Sequence, residues 1–282
     1  MERALSSEDY AFSHSPHTTS QESIVSVKNG FPTSNREFLR YLFVEKSPGE
    51  VVAELEMARL DVLRASMEWF QLRFNPIFEG IGVPRGQGKL VIATGFGTPR
   101  IAYRDTETFF GRIGYDTLIY DSGSLFNVRP VEHLVDDFMN FLQDQEGDIL
   151  LFCHSKGGLL AFATYATHKD KFTRKVKHVC FVGSPRPDWV NVAIGSPYFG
   201  TQLFFGGDDF KFASEVLYST DIENVDGTRV TSICNPRDLI IRGKMFGRPD
   251  EHRKVDSSHL GMHVNKYVLK TAAERFAELE AA

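Results

Sequence analysis

The stretch DILLFCHSKGGLLAFATYATH, Asp148 to His168, decides the fold. An apolar run ends at Ser155, which is flanked by His154 and Lys156, and Gly157 and Gly158 open the next segment. A short apolar run bounded by a turn reads as a strand buried on both faces. The residues after the glycines read as a helix, Gly157–His168. Two readings of Ser155 stand side by side. It is a nucleophile at the tip of a strand-to-helix turn, or a serine that caps the helix.

The surrounding chain repeats the strand-then-helix pattern. KLVIATGFG, YDTLIYDSG, VKHVCFVGSP and TRVTSICNP read as strands that run into turns. Ile101–Arg112, Pro130–Gln143 and Leu260–Glu280 read as helices. Strands that are apolar throughout and alternate with helices predict an α/β fold with a mostly parallel sheet covered on both faces. A long excursion, about residues 184–228, breaks the alternation and is crowded with aromatics, including Tyr198, Phe199, Phe204, Phe205, Phe210 and Phe212. It reads as a cap-like, substrate-lining insertion. Residues 1–22 are polar and read as a mobile tail, and residues 23–84 as an extension of the 85–282 core. SIVSVKNG and REFLRYLFVEK within the extension are short candidate strands. From Pro48 to Phe74 a helix is expected. Leu60, Leu63, Met67, Phe70 and Phe74 form one apolar stripe, expected to pack in the core, with a lip over a substrate site as the sharper alternative.

Bulk properties narrow the function classes. The 282 residues are 42% hydrophobic and 24% charged, with a net charge of −5, so nothing electrostatic points to nucleic acid or anionic membrane. The three cysteines, Cys153, Cys180 and Cys234, lie in or at the ends of apolar runs and read as reduced, buried thiols. No apolar signal segment opens the chain and no stretch has the length of a membrane span, so a cytoplasmic location is the expectation.

Nucleophilic serine needs a rigid exposed hydroxyl, a base and oxyanion donors. At a sharp turn the residues two before and two after must be small, because strand and helix approach closely. Here they are Cys153 and Gly157. CHSKG thus resembles the G-x-S-x-G nucleophile elbow of the α/β-hydrolase superfamily, with cysteine in place of the first glycine. Other segments in register extend the resemblance over roughly residues 85–280. The superfamily orders its triad as serine, acid, histidine. Asp238, in the loop after RVTSICN, stands where the acid belongs, and His259 in SSHLGM where the histidine belongs. An ordinary turn aspartate and a helix-flanking histidine are the plain alternatives, and His252 and His263 compete with His259. The resemblance places the oxyanion donors at the backbone N–H groups of Phe96, in LVIATGFG, and Lys156. Thr94-Gly95 replaces the His-Gly usual there in lipases and esterases. GSPYFGT at Gly195 resembles a segment of bacterial lipases and esterases, VCFVGSP at Gly183 is a second, partial copy, and either can follow the sheet strand. Asp121 reads as structural.

The resemblance implies a lipase- or esterase-like serine hydrolase that cleaves carboxylic esters through an acyl-enzyme. Ser155 is the nucleophile, His259 the base and Asp238 its orienting acid. Tyr198, Phe199, Phe204 and Phe205 line an acyl pocket, with Phe70 and Phe74 as further candidates. The substrate is a small acyl ester or thioester, and no cofactor is expected. His259 and His263 have metal-ligand spacing, but Leu260 follows where H-E-x-x-H needs glutamate, so no metal is expected. Arg100 and Pro99 likewise break a dinucleotide turn at GFGTPR. A thioesterase or acyltransferase, an amide hydrolase and a non-catalytic binding module of the same fold are the rivals. His154, beside the serine, is expected to point away from it.

Overall fold

The computed structural model describes residues 48–124, 127, 129–184, 191–192, 227–238, 241–242 and 246–280. The expected tail, the two candidate strands ahead of residue 47, and Tyr198, Phe199, Phe204, Phe205, Phe210 and Phe212 of the insertion lie outside these residues.

Six strands form one sheet: β1 (Lys89–Ala93), β2 (Asp116–Ile119), β3 (Ile149–His154), β4 (Val176–Val182), β6 (Arg229–Cys234) and β8 (His252–Lys254). Their order is β2-β1-β3-β4-β6-β8 and every pairing is parallel. A separate two-residue pair, β5 (Asn191–Val192) with β7 (Ile241–Arg242), is antiparallel and joins the insertion to the chain after Asp238. The helices are α1 (Pro48–Arg73), α2 (Arg104–Arg112), α3 (Val135–Gln143), α4 (Lys156–Thr167), α5 (Lys169–Lys175) and α6 (Lys266–Glu280).

The period of two along each strand sorts residues to two cores. Val91, Ala93, Leu151, Cys153, Val179 and Phe181 pack against α3, α4 and α5. Leu90, Ile92, Phe152, Cys180, Val182 and Ile233 pack against α2 and α6. Both faces are dry, so the strands carry no polar alternation. Cys153 and Cys180 are buried free thiols, and burial pushes both well above the ordinary thiol range; Cys234 is only half-buried. Three expected helices open with a 3-10 turn, at Arg100–Tyr103, Glu132–Leu134 and Met262–Val264. Among the described residues no helix is long and apolar enough to cross a membrane.

The topology positions the site. After β1 the chain crosses to β2 on one side, then returns to β3 on the other side of β1. The carboxyl ends of β1 and β3 therefore stand where the strand order reverses, the usual ligand position of open parallel sheets.

One expectation is corrected. The α1 stripe does not enter the core: Leu60, Leu63, Met67, Phe70 and Phe74 are 51–74% exposed. The opposite face is the buried one, and it carries Asp61, Glu68 and Leu72. That face lies on residues 257–261, whose backbone N–H groups and serine hydroxyls need acceptors. Buried donors must be paired, and this requirement overrides the preference for burying leucine and phenylalanine. Arg73 fixes the far end of α1 by an ion pair to Asp105 of α2, at 2.7 Å.

Candidate active site

β3 ends at His154 and α4 begins at Lys156, so Ser155 alone turns the chain. Its backbone takes φ 51° and ψ −118°. A non-glycine residue held there stores about 1–3 kcal/mol of strain, which the surrounding structure must impose. The Ser155 N–H donates to the Val182 carbonyl of β4 at 2.9 Å, and the Gly158 N–H to the Ser155 carbonyl at 3.0 Å. A Cβ on Gly157 would meet the Ala93 carbonyl oxygen at 2.2 Å, and one on Gly158 the Ser184 Oγ at 2.1 Å. At Gly157 the obstacle is the backbone of β1. Gly157→Ala is expected to destabilise the fold by about 3 kcal/mol, read as a lowered urea midpoint. An unchanged midpoint would show that β1 gives way freely. Cys153, on the other side of the turn, points into the core beneath α3 and α4, where a thiol fits.

Ser155, His259 and Asp238 are all buried and lie in one hydrogen-bonded line. Ser155 Oγ is 2.9 Å from His259 Nε2, and His259 Nδ1 is 2.8 Å from Asp238 Oδ2. A carboxylate only accepts, so Nδ1 carries the proton and Nε2 is free to accept from the serine hydroxyl. Burial pulls the His259 imidazole down, but the Asp238 charge, the hydrogen bond to it and the Asp61 charge outweigh burial and raise it above the ordinary histidine value. The competitors lie elsewhere. His252 Nε2 faces the carbonyls of Phe246 and Gly247 at 3.0 and 3.1 Å. His263 Nε2 faces the Ala102 carbonyl at 3.2 Å, and burial holds its imidazole down at about 4.

The loop after β1 reaches the same point. A Cβ on Gly95 would stand 3.2 Å from the Ser155 Cβ and 2.8 Å from His154 Nδ1. The backbone N–H groups of Phe96 and Lys156 thus belong to two segments that meet at Ser155. His154 does point away from the serine and braces this meeting. Its Nε2–H donates to the His259 carbonyl at 2.9 Å, and its Nδ1 accepts from Tyr103 Oη at 2.6 Å. Tyr103 Oη in turn accepts from the Gly95 N–H at 2.7 Å. One neutral imidazole thereby links the β1 loop, the serine turn and the histidine loop. Asn127 holds the β1 loop from the outside: its Nδ2 donates to the carbonyls of Thr94 and Gly95 at 2.8 and 3.3 Å. Lys156 Nζ donates to the carbonyls of Asn127, at 2.9 Å, and Arg129, so the cation at the start of α4 secures the Asn127 loop.

Three further placements bear on the sequence reading. Gly183, with φ 55°, directly follows β4, and a Cβ there would meet Met262 Sδ at 2.6 Å and the His259 ring at 3.5 Å. VGSP is therefore the segment that leaves the sheet; Gly195 lies outside the described residues. Asp121 accepts from the Gly123 N–H at 2.9 Å in an exposed turn. The Phe70 and Phe74 rings lie 4.5 Å apart, tilted by 42°, on the outer face of α1.

The sequence matches no family model and no curated protein. Solved structures do match. A structure from a study of LipS and LipT, two metagenome-derived lipolytic enzymes, is 12% identical, covers 70% of this chain and 95% of its own, and superposes with a TM-score of 0.51. This chain has the α/β-hydrolase fold. Two looser matches are Est1E from Butyrivibrio proteoclasticus with ferulic acid bound (15% identity, 70% of this chain and 91% of that chain, TM-score 0.47) and tomato methylketone synthase I (14%, 69% and 98%, TM-score 0.47).

Within this α/β-hydrolase fold four polar residues of the site had no motif to mark them: Tyr103, Asn127, Asp61 and Glu68. Tyr103 and Asn127 bond the β1 loop. Asp61 Oδ1 and Oδ2 accept the N–H groups of His259 and Leu260 at 2.9 and 2.7 Å. Glu68 accepts from the Ser258 N–H and hydroxyl at 2.8 and 2.7 Å and from the Ser257 hydroxyl at 3.1 Å. The only available signal was two carboxylates seven positions apart on one side of a helix.

Proposed function

We propose that this chain is a serine hydrolase of carboxylic esters. The observation that carries the reading is the Ser155–His259–Asp238 hydrogen-bonded line at a strained strand-to-helix turn. Ser155 Oγ attacks the ester carbonyl carbon while His259 Nε2 takes its proton. The backbone N–H groups of Phe96 and Lys156 receive the oxyanion, where one such donor is worth about 2.7–4 kcal/mol. Collapse breaks the bond to the alkoxide, which leaves with the proton from Nε2, and Ser155 keeps the acyl group. Water then attacks the acyl-enzyme with the same base. Asp238 keeps Nδ1 protonated throughout and balances the transient imidazolium. Apolar acyl groups are the preferred substrates, on the strength of Tyr198, Phe199, Phe204 and Phe205 in the sequence of the insertion.

A fluorophosphonate probe tests this directly, because Ser155 Oγ would displace fluoride and form a stable phosphonyl ester. The native chain is expected to label and Ser155→Ala to lose all labelling. Labelling that persists in the variant removes Ser155 from the role. A native chain that does not react is a binding module instead. Among reactive outcomes, comparing nitrophenyl esters with acyl-CoA separates an esterase from a thioesterase.

A further inference from the structure

The helix ahead of the hydrolase core grips the loop that carries His259. We infer that Asp61 and Glu68 of α1 are positioning residues for His259, Asp61 acting both by fixing its backbone and by placing a negative charge beside it. The inference rests on the proposed role of His259, but its geometry is independent. Asp61 and Glu68 are only 3% and 7% exposed. Between them they accept the N–H groups of three consecutive residues, Ser258, His259 and Leu260, and two serine hydroxyls. A loop pinned at consecutive N–H groups by rigid helical side chains cannot shift its side chains without breaking several buried charge-assisted bonds. These donors account for why Asp61 and Glu68, rather than Leu60, Leu63, Met67 and Phe70, face inward beside Leu72.

Charge is the second contribution. The groups facing His259 are Asp238 from the loop after β6, His154 from the end of β3, His263 from the turn before α6, and Asp61 from α1. Glu68 meets the loop just before His259, at Ser257 and Ser258, with Arg64 3.7 Å away, and Arg64 is also paired to Asp256 at 2.6 Å. His154 and His263 are held neutral by burial, so among the described residues Asp238 and Asp61 are the carboxylates that raise the imidazole.

Asp61→Asn and Asp61→Glu separate position from charge. Asn keeps one acceptor oxygen, turns its amide donors toward a backbone N–H, and removes the charge. Glu keeps the charge and displaces the acceptors. The primary readout is the His259 imidazole, followed by NMR titration of histidine-labelled protein and assigned by difference from His259→Gln. Asp61→Asn is expected to lower its titration midpoint, and Asp61→Glu to leave it near the native value. Both are expected to lose kcat/KM on the order of 10²-fold through kcat, and in Asp61→Asn the acidic limb of the rate profile moves to lower pH. An unchanged midpoint in Asp61→Asn overturns the charge role, and native kcat in both variants overturns the positioning role. Lowered thermal stability with an unmoved titration shows a merely structural residue. The titration needs no turnover, so it decides the charge role even when the probe shows the chain to be unreactive, which is the outcome that sinks the proposed function instead.

Discussion

Ser155→Ala and His259→Ala are each expected to lower kcat for a good ester by on the order of 10⁶-fold, and the double variant to lose no more than either single. The reason lies in the shared proton. Ser155 Oγ and His259 Nε2 stand 2.9 Å apart, and neither acts without the other. Once the hydroxyl is gone, the base has nothing to deprotonate; once the base is gone, the hydroxyl stays protonated and a poor nucleophile. Asp238→Asn belongs one step further out. It offers an amide donor to Nδ1, favours the wrong tautomer and is expected to cost about 10⁴-fold. A residual rate on the order of 10³-fold above water remains in all of these, supplied by backbone donors that the substitutions leave in place. The single and double variants are compared by pre-steady-state kinetics on nitrophenyl esters. Additive losses, with the double variant falling as the product of the singles, would break the unit apart and require two independent sites.

The second large effect is on stability in acid. His154, His178 and His263 are buried and neutral. Burial holds His178 at about 3, helped by the charges of Arg229 and Arg275. Burial holds His263 at about 4 and His154 well below the ordinary range, in the latter case with the neighbouring imidazoles adding to the effect. Each folded value lies below the unfolded one, so the unfolded chain takes up these protons first as pH falls below about 6.5. Their stabilisation is complete above that pH and drains away as pH falls, down to about 4 for His263 and about 3 for His178, with His154 still losing its share. Glu68, which burial raises, opposes the trend near the lower end of the window. His259 is raised, and its own contribution is lost only as pH rises above about 6.5. The net difference is two to three protons, a slope of about 3–4 kcal/mol per pH unit. Urea unfolding at pH 7, 5.5 and 4.5 reads it, and His178→Gln is expected to flatten it by about one proton. A midpoint that stays constant from pH 7 to 4.5 contradicts the buried neutral imidazoles.

The sheet was legible because each of its central strands is dry on both faces. Ile149–Cys153 and Leu90–Ala93 are apolar without alternation for that reason, and the turns after them carry the small residues that close approach demands. Ser155, Asp238 and His259 stood out by chain order, and the fold brings them within hydrogen-bond distance. The setting of α1 could not be read in the same way. A stripe at helical spacing reports that two faces differ, not which one turns inward. That is decided by the donors of Ser258 and His259, 190 and 198 residues away along the chain. Tyr103 and Asn127 acquire their parts only through tertiary contact with Gly95, and neither carries a local pattern. β8, three residues at the sheet edge, is too short for periodicity to register.

The inward carboxylates of α1 also determine how that helix can sit. Greasy helix faces tolerate small rolls and slides, because dispersion contacts are many, weak and interchangeable. Asp61 and Glu68 allow no such latitude. Turning α1 by about half a revolution would present Leu63 and Phe70 to Ser258 and His259, and strand their N–H groups without acceptors. The joint therefore works as a key in a lock: one angular setting engages it, and every other setting leaves it open.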